Sequence, residues 1–304
     1  MAPQDAGALA GISPAWCDFL TGLAKGSVIL DAGTGNGVLA ARAARLSRDA
    51  QLAFKVHGVD LADIDPAAQA AAVGSVLGDI HFHPRTPLEA LPFSGSFFDA
   101  VMGQFALEYS DTTRSIAEVV RVLRPGGCFR FLVHSRESVL ARRCAMQWRQ
   151  AETVLGSSLF ARLESLLEAV CRAEADAAAL EHALGEINAF KAESDRLDSL
   201  FDADSDRRLI DNLWAAIRLL PDLRHGRSAV ELRAMARELQ FLLMAQARRF
   251  ADMARACLDQ EQAMALAARF SDAGAVGVSI EAAQAGGLRI GHWVTGRARG
   301  INPA

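Results

Sequence analysis

Three glycines at alternate positions, Gly33, Gly35 and Gly37, follow an acid, Asp31, that ends the apolar run beginning at Val28. Glycines so placed let the chain turn sharply after a strand and let a ligand meet bare backbone where a Cβ would collide. Val38 to Leu46 then opens a helix, whose first N–H groups face the same turn and suit a polar ligand. A second acid, Asp60, closes the run Val56-His-Gly-Val59. A carboxylate there can accept hydrogen bonds from the two ribose hydroxyls of an adenosine; the plainer reading is a solvated loop aspartate. His134 ends a later apolar run, Phe129 to Val133. Imidazole titrates near neutral pH, so a histidine at the open end of a strand can take a proton from an attacking hydroxyl. The plainer reading makes His134 a polar strand end before a helix that Ser135 opens.

These residues need a frame that brings strand ends together. Ser13-Pro14 reads as a helix start, with a helix running through Trp16, Phe19 and Leu20 to near Gly26. Strands are expected from Val28 into Asp31 and at Phe54–Asp60, Ile80–His83, Phe98–Met102 and Cys128–Val133, with helical patterns between them. Their short, almost wholly apolar runs suit parallel strands covered on both faces. Alternating β and α segments give a doubly wound sheet with its ligands outside the carboxyl ends of the strands. The pattern changes after His134. Residues 135–272 read as helical almost throughout, with apolar stripes at Leu159, Phe160, Leu163, Leu166, Leu167 and Val170, and at Leu209, Ile210, Leu213, Trp214, Ile217 and Leu220. Strands return at Val276–Ile280 and Leu288–Thr295. The expected organisation is an α/β domain over 1–134, a helical insertion over 135–272 and closing strands over 273–304.

Taken together, Asp31-Ala-Gly-Thr-Gly-Asn-Gly37, Gly58-Val-Asp60, Leu88-Glu-Ala-Leu-Pro-Phe93, Phe98-Asp99 and Leu123-Arg-Pro-Gly-Gly127 have the order and spacing of a known family. The sequence resembles the class I S-adenosylmethionine-dependent methyltransferases, above all the branch of ubiquinone and menaquinone biosynthesis. The resemblance covers residues 28–134 and the closing strands, but not the helical insertion. It implies an α/β fold with a mostly parallel seven-stranded sheet, and S-adenosylmethionine as the cofactor. Val38 stands where the dinucleotide fingerprint Gly-x-Gly-x-x-Gly has its third glycine, which favours that cofactor over NAD. The resemblance further implies a cofactor site at Asp31, Gly33, Thr34, Gly35, Gly37, Asp60, Leu61, Leu88 and Gln104, with Phe105 and Tyr109 toward the methyl acceptor; His134 is the candidate base from its place at the strand end alone. One departure stands out. Many relatives place an aspartate for the adenine amino group where this chain has Pro87.

Other chemistries fit less well. Gly103-Gln-Phe-Ala106 is not the Asn/Asp-Pro-Pro-Tyr/Phe signature of methylases that act on amino groups of bases. Tyr109 has Thr113 where a short-chain reductase needs lysine. Asp202 to Asp206 begins like a calcium loop, but Arg207 replaces the required glycine and Leu213 the final acid, so a helix cap is the simpler reading. His81 and His83 share one side of a strand with no third ligand in the sequence, so no metal is expected. A net charge of −4 leaves no basic field for nucleic acid or membrane, and basic and acidic residues nearly balance in 135–272. The first residues lack the basic and apolar regions of a signal peptide, no run is long enough to span a bilayer, and the five cysteines lack any Cys-x-x-Cys spacing. A cytoplasmic, reduced protein with a small-molecule acceptor is expected. The helical insertion is read as a cap over the acceptor, or alternatively as a dimerisation surface. A cofactor-binding scaffold without catalysis, acting through that insertion, and an NAD-dependent reductase are the competing functions.

Overall fold

The structure is a computed structural model that describes residues 12–65, 75–173, 176–201 and 206–300. The reading of the N-terminal segment and that of Asp202 and Asp204 fall outside the described residues. The chain divides into two compact units, one built from the segments through Ala141 and from Ala256 onward, the other from Arg142–Arg255.

The first unit holds a seven-stranded sheet. Its strands are β1 (Val28–Ala32), β2 (Lys55–Val59), β3 (Ile80–His83), β4 (Phe98–Gln104), β5 (Leu123–His134), β6 (Ala275–Ala285) and β7 (Leu288–Ala298), in the order β3-β2-β1-β4-β5-β7-β6. Strands β1 to β5 run parallel, while β7 is antiparallel to β5 and β6 to β7. The order reverses between β1 and β4, and the carboxyl ends of strands flanking such a switch point leave a crevice for a ligand. Asp99 fixes the start of this pair, because its carboxylate accepts from the Val28 N–H at 2.7 Å and from Arg124 at 2.6 Å.

Helices α1 (Ser13–Thr21), α2 (Val38–Asp49) and α3 (Thr112–Val122) belong to the same unit. Helix α1 carries Pro14 in its first turn and ends at Thr21, with Gly22 as its cap, one turn before the Gly26 expected from sequence. The closing hairpin is longer than the sequence suggests. Gly286 and Gly287, at φ +56° and +76°, supply the two left-handed residues that a tight hairpin turn needs. The core under the sheet is aromatic, with Phe129 stacked on Phe270 at 4.2 Å between centroids.

That contact changes the expected boundary of the helical block. Phe270 and Leu266 lie on α9 (Gln260–Asp272) and are buried in the sheet's own core. The helical unit therefore ends by Arg255, and 260–272 covers the sheet instead. Asp259 starts α9 with a capping box, accepting from the Gln262 N–H while the Gln262 side chain accepts from the Asp259 N–H. Asp259→Ala is expected to cost about 1 kcal/mol of stability. Hydrogen exchange over 260–263 checks it, with faster exchange expected there than in the parent.

In the second unit, α5 (Leu159–Arg172), α6 (Ala177–Asp198), α7 (Arg208–Leu219) and α8 (Ala229–Ala256) follow α4 (Val139–Leu155), which crosses the boundary as α8 does at its end. The two stripes read from sequence meet in one core, where Leu159, Leu163 and Leu167 pack with Ile210, Trp214 and Ile217. Trp214 keeps its N–H satisfied on Asp198 at 3.1 Å, as a buried indole requires. Asp206 pairs with Arg208 at 2.6 Å and Arg143 at 2.9 Å, so its carboxylate ties the start of α7 to α4. No described helix is long and apolar enough to cross a membrane.

Candidate functional site

At the carboxyl ends of β1 and β4 lies a cavity of about 460 Å³, lined by Gly33, Thr34, Gly35, Asp60, Leu61, Pro87, Leu88, Glu89, Gln104, Phe105, Ala106, Tyr109 and Ser110. Nine of the site residues named from sequence thus share this lining, although they come from four separate stretches of chain.

The glycines divide the work. Gly35 sits at φ +52° and a Cβ added to it would meet nothing within 4 Å, so its backbone borders open space where a ligand can lie against it. Gly33, at φ +73°, is tight against the opposite wall, since its Cβ would come within 2.2 Å of the Ala106 Cβ. Gly37 does not line the cavity. It caps α2 at φ +75°, and a Cβ there would press on the Phe82 ring at 2.8 Å. Asp31 is also set back, 1% exposed, where it accepts from the Thr34 hydroxyl at 2.7 Å and the Ala40 N–H at 3.0 Å. It holds the turn and the first turn of α2 together. Burial pushes the Asp31 carboxyl up to about 7, further raised by nearby Asp60 and only partly offset by those two hydrogen bonds.

Asp60 faces the cavity with both oxygens anchored by backbone. Oδ2 accepts from the Gly35 N–H at 2.8 Å and Oδ1 from the Ala62 N–H at 2.9 Å. A carboxylate has about four acceptor positions, so each oxygen keeps capacity for a ligand hydroxyl. Pro87, Leu88 and Glu89 form another part of the wall, and Arg121 and Glu118 on α3 hold the stretch that follows them. Arg121 donates to the Phe93 and Leu91 carbonyls at 2.8 and 3.1 Å, and Glu118 accepts from the Leu91 N–H at 2.8 Å. The Arg121 guanidinium holds the Glu118 carboxyl below its ordinary range.

Beyond β4 the chain leaves the sheet through Phe105, at φ +55°. Left-handed backbone is strained for a bulky aromatic residue and tends to occur where the surroundings impose it for function. Here the Phe105 N–H is held by the Leu132 carbonyl at 2.7 Å. Gln104 accepts from the Trp16 indole N–H at 2.8 Å, so α1 fixes the amide at the cavity wall.

His134 does not line the cavity. It is 6% exposed at the end of β5, its ring stacked under Phe105 at 4.0 Å between centroids and met edge-on by Tyr109. Its backbone N–H and its Nδ1 both lie on one oxygen of Glu108, at 2.8 and 2.7 Å. Glu108 was not among the residues marked in the sequence. It sits in the short 3₁₀ turn Leu107–Tyr109, and no periodicity separates it from an ordinary surface acid. The sequence marks Trp16 only as part of a helix, with nothing to link it to Gln104.

His81 and His83 gather on His57, whose Nδ1 is 3.1 Å from His83 Nε2. Burial and then the two neighbouring imidazoles lower His57 to about 4. Among the described residues, no group of three or more His, Cys, Asp or Glu is arranged to hold a metal.

The sheet order, the glycine turn after β1 and the acid after β2 define an α/β domain built to hold an adenosine-bearing cofactor at its switch point. Residues 29–127 match the family described as "Methyltransferase domain", and this stretch is a class I S-adenosylmethionine-dependent methyltransferase domain. Two relatives illustrate the range. Malonyl-[acyl-carrier protein] O-methyltransferase of Enterobacter lignolyticus is 27% identical over 139 residues, 45% of this chain and 50% of its own. Ubiquinone/menaquinone biosynthesis C-methyltransferase UbiE of Vibrio cholerae is 32% identical over 126 residues, 38% of this chain and 46% of its own. The chain thus spans about half the length of the curated relatives it matches. A solved S-adenosylmethionine-dependent methyltransferase from Mesorhizobium loti is 27% identical, covering 42% of this chain and 56% of its own, with a TM-score of 0.33.

Proposed function

We propose that the protein transfers the methyl group of S-adenosylmethionine to O, N or C of a small, partly apolar metabolite. The observation that carries this reading is the open backbone of Gly35 bonded to the Asp60 carboxylate at the mouth of the cavity. That pairing sets a cradle for the cofactor beside an acceptor for its ribose hydroxyls. When bound, the cofactor supplies an electrophilic methyl on a sulfonium, so the protein's own task is to orient and to exclude water.

Within this reading, Gly33, Thr34 and Gly35 meet the cofactor's backbone-facing edge, Asp60 and Leu61 its ribose, and Leu88 its adenine. Asp31 and Gly37 act behind the wall by holding the turn. Gln104 orients the methionine portion, while Phe105 and Tyr109 give the acceptor an aromatic surface. Pro87 offers the adenine no side-chain donor or acceptor, which is the observation favouring the second reading, a cofactor-binding scaffold without turnover. The helical unit 142–255 is proposed as the acceptor-binding cap because the chain enters it directly after β5; dimerisation through it is the alternative, and sedimentation that shows a stable dimer supports that alternative. A cytoplasmic location belongs to the same reading.

The test between enzyme and scaffold uses S-adenosylmethionine labelled in its methyl group, incubated with an extract of small metabolites. Label passing into extractable organic compounds in a protein-dependent way supports transfer. Binding of the cofactor with no transfer into any fraction supports the scaffold. Asp60→Asn keeps an acceptor but removes the charge, and is expected to weaken S-adenosylhomocysteine binding about tenfold by calorimetry.

A further inference from the structure

A second cavity, of about 410 Å³, lies between α1 and the strands β5, β6 and β7, and it shares no lining residue with the first. Phe19, Leu23 and Val276 give it apolar walls, while Asp18, Arg130 and Arg297 bring charge. The sheet itself opens here. The register of β6 on β7 shifts between Val276 and Ser279, and Gly277 within that shift sits at φ +60° with nothing within 4 Å of an added Cβ. A bulge of this kind bends one strand away from its neighbour and is frequent beside binding sites.

Arg130 is half-buried and firmly held. Its Nη1 donates to the Ala15 carbonyl at 2.5 Å, and its Cζ lies 5.3 Å from the Phe19 ring centre and 5.4 Å from that of Trp293. Nε is enclosed without a partner, and Nη2 makes no hydrogen bond among the described residues. Among those residues neither Arg130 nor Arg297 pairs with a carboxylate, and Arg297 reaches only the Gly126 carbonyl, at 3.4 Å. A half-buried cation without a counter-ion is costly, and contact with aromatic faces offsets only part of that cost. Burial pulls the Arg130 guanidinium below its ordinary value, with Glu281 and Asp18 opposing from a distance. Guanidinium groups suit an oxyanion. Asp18 in the same lining disfavours a dianion, so a single negative charge fits best.

We propose that this cavity is a second ligand site for an organic monocarboxylate with an apolar body, and that α1 links its occupancy to the cofactor cavity. The carboxylate accepts from the Arg130 guanidinium, the exposed Arg297 adds attraction, and the apolar body lies against Phe19, Leu23 and Val276. A phosphate monoester, carrying about two charges at neutral pH, meets Asp18 as a like charge and binds less well. Helix α1 touches both cavities. Ala15 and Phe19 hold Arg130, whereas Trp16 donates to Gln104 on the wall of the first cavity and packs edge-on against Trp293. A ligand that ties α1 to the sheet steadies the bond from Trp16 to Gln104, so each cavity's occupancy favours the other's by the same factor. The binding site stands on its own geometry; the link rests on the methyl-transfer reading above.

The test is calorimetric titration of the full chain with 2-naphthoate, its neutral amide 2-naphthamide, and 2-naphthyl phosphate. Saturable one-to-one binding of the carboxylate is expected, with the amide and the phosphate about tenfold weaker or more. Arg130→Gln is expected to weaken the carboxylate about tenfold, and Arg297→Glu about fivefold. With naphthoate saturating, the Kd of S-adenosylhomocysteine is expected to fall about fivefold. Trp16→Phe, which lacks the indole N–H, is expected to erase that change while still binding naphthoate. A carboxylate that does not bind, that binds no better than the amide or the phosphate, or that is indifferent to Arg130→Gln overturns the site. Should Arg130→Gln not fold, Arg297→Glu and the amide still decide it. An S-adenosylhomocysteine affinity indifferent to naphthoate overturns the link through α1. A parent that binds no S-adenosylhomocysteine contradicts the methyl-transfer reading instead, and the naphthoate titration is read independently of that result.

Discussion

Gly35→Val is expected to abolish S-adenosylhomocysteine binding while leaving the chain folded. Two effects add at this position. The residue is left-handed at φ +52°, where a β-branched side chain is strained by roughly 1–2 kcal/mol. The larger effect is occupancy. A Cβ at Gly35 meets nothing within 4 Å, so valine's methyl groups would fill the space that the ligand uses rather than collide with protein. Affinity is expected to fall by about 1000-fold or more, about 4 kcal/mol, against a smaller loss of folding stability. Gly35→Ala separates the two, since it has the strain and little of the bulk. Calorimetric titration and urea unfolding of both variants check this. A valine variant that binds S-adenosylhomocysteine as the parent does would place the ligand elsewhere.

The second large effect is electrostatic and appears without ligand. Asp31 is buried, and burial pushes its carboxyl from the ordinary value of 3.8 up to about 7. In the unfolded chain it ionises near 4. Between those two pH values the folded state binds a proton that the unfolded state has released. Its contribution to stability is thus fully present below about pH 4 and is lost as pH rises through 7, a total of about 4 kcal/mol. Asp31→Asn removes this dependence. The variant's stability relative to the parent is expected to rise by up to that amount between pH 4 and pH 8, on top of a constant cost for altered hydrogen bonds to Thr34 and Ala40. Urea unfolding of the sheet unit at the two pH values measures it. A difference that does not change with pH would mean that Asp31 is ionised throughout, and that its two hydrogen bonds outweigh burial.

Most of the sheet was legible because its signals are local. The run Val28–Leu30 is apolar and leads through Asp31 to the glycines, and β1 with its turn forms there. Asp60, Leu88 and Gln104 were placed through ordered motifs, and all three face the cavity. What sequence did not show depends on long-range contact. The apolar face of α9 has the same period as those of the helical unit, yet Leu266 and Phe270 bury against the sheet. Periodicity reports that a face is covered, not what covers it. Gly37 and Gly35 look alike in sequence, but one faces Phe82 and the other open space. Glu108 had no signal at all. Its role comes from its distance to a residue on a strand that is not its sequence neighbour. His134 was legible as the end of β5, and its burial under Phe105 was not.

The cavity at the ends of β1 and β4 is expected to hold S-adenosylmethionine rather than a dinucleotide. Parallel calorimetric titrations of the full chain with S-adenosylhomocysteine and with NAD test it most directly. Saturable one-to-one binding of S-adenosylhomocysteine is expected, weakened by Asp60→Asn and lost in Gly35→Val, with no heat of binding from NAD. Saturable binding of NAD with none of S-adenosylhomocysteine would contradict it.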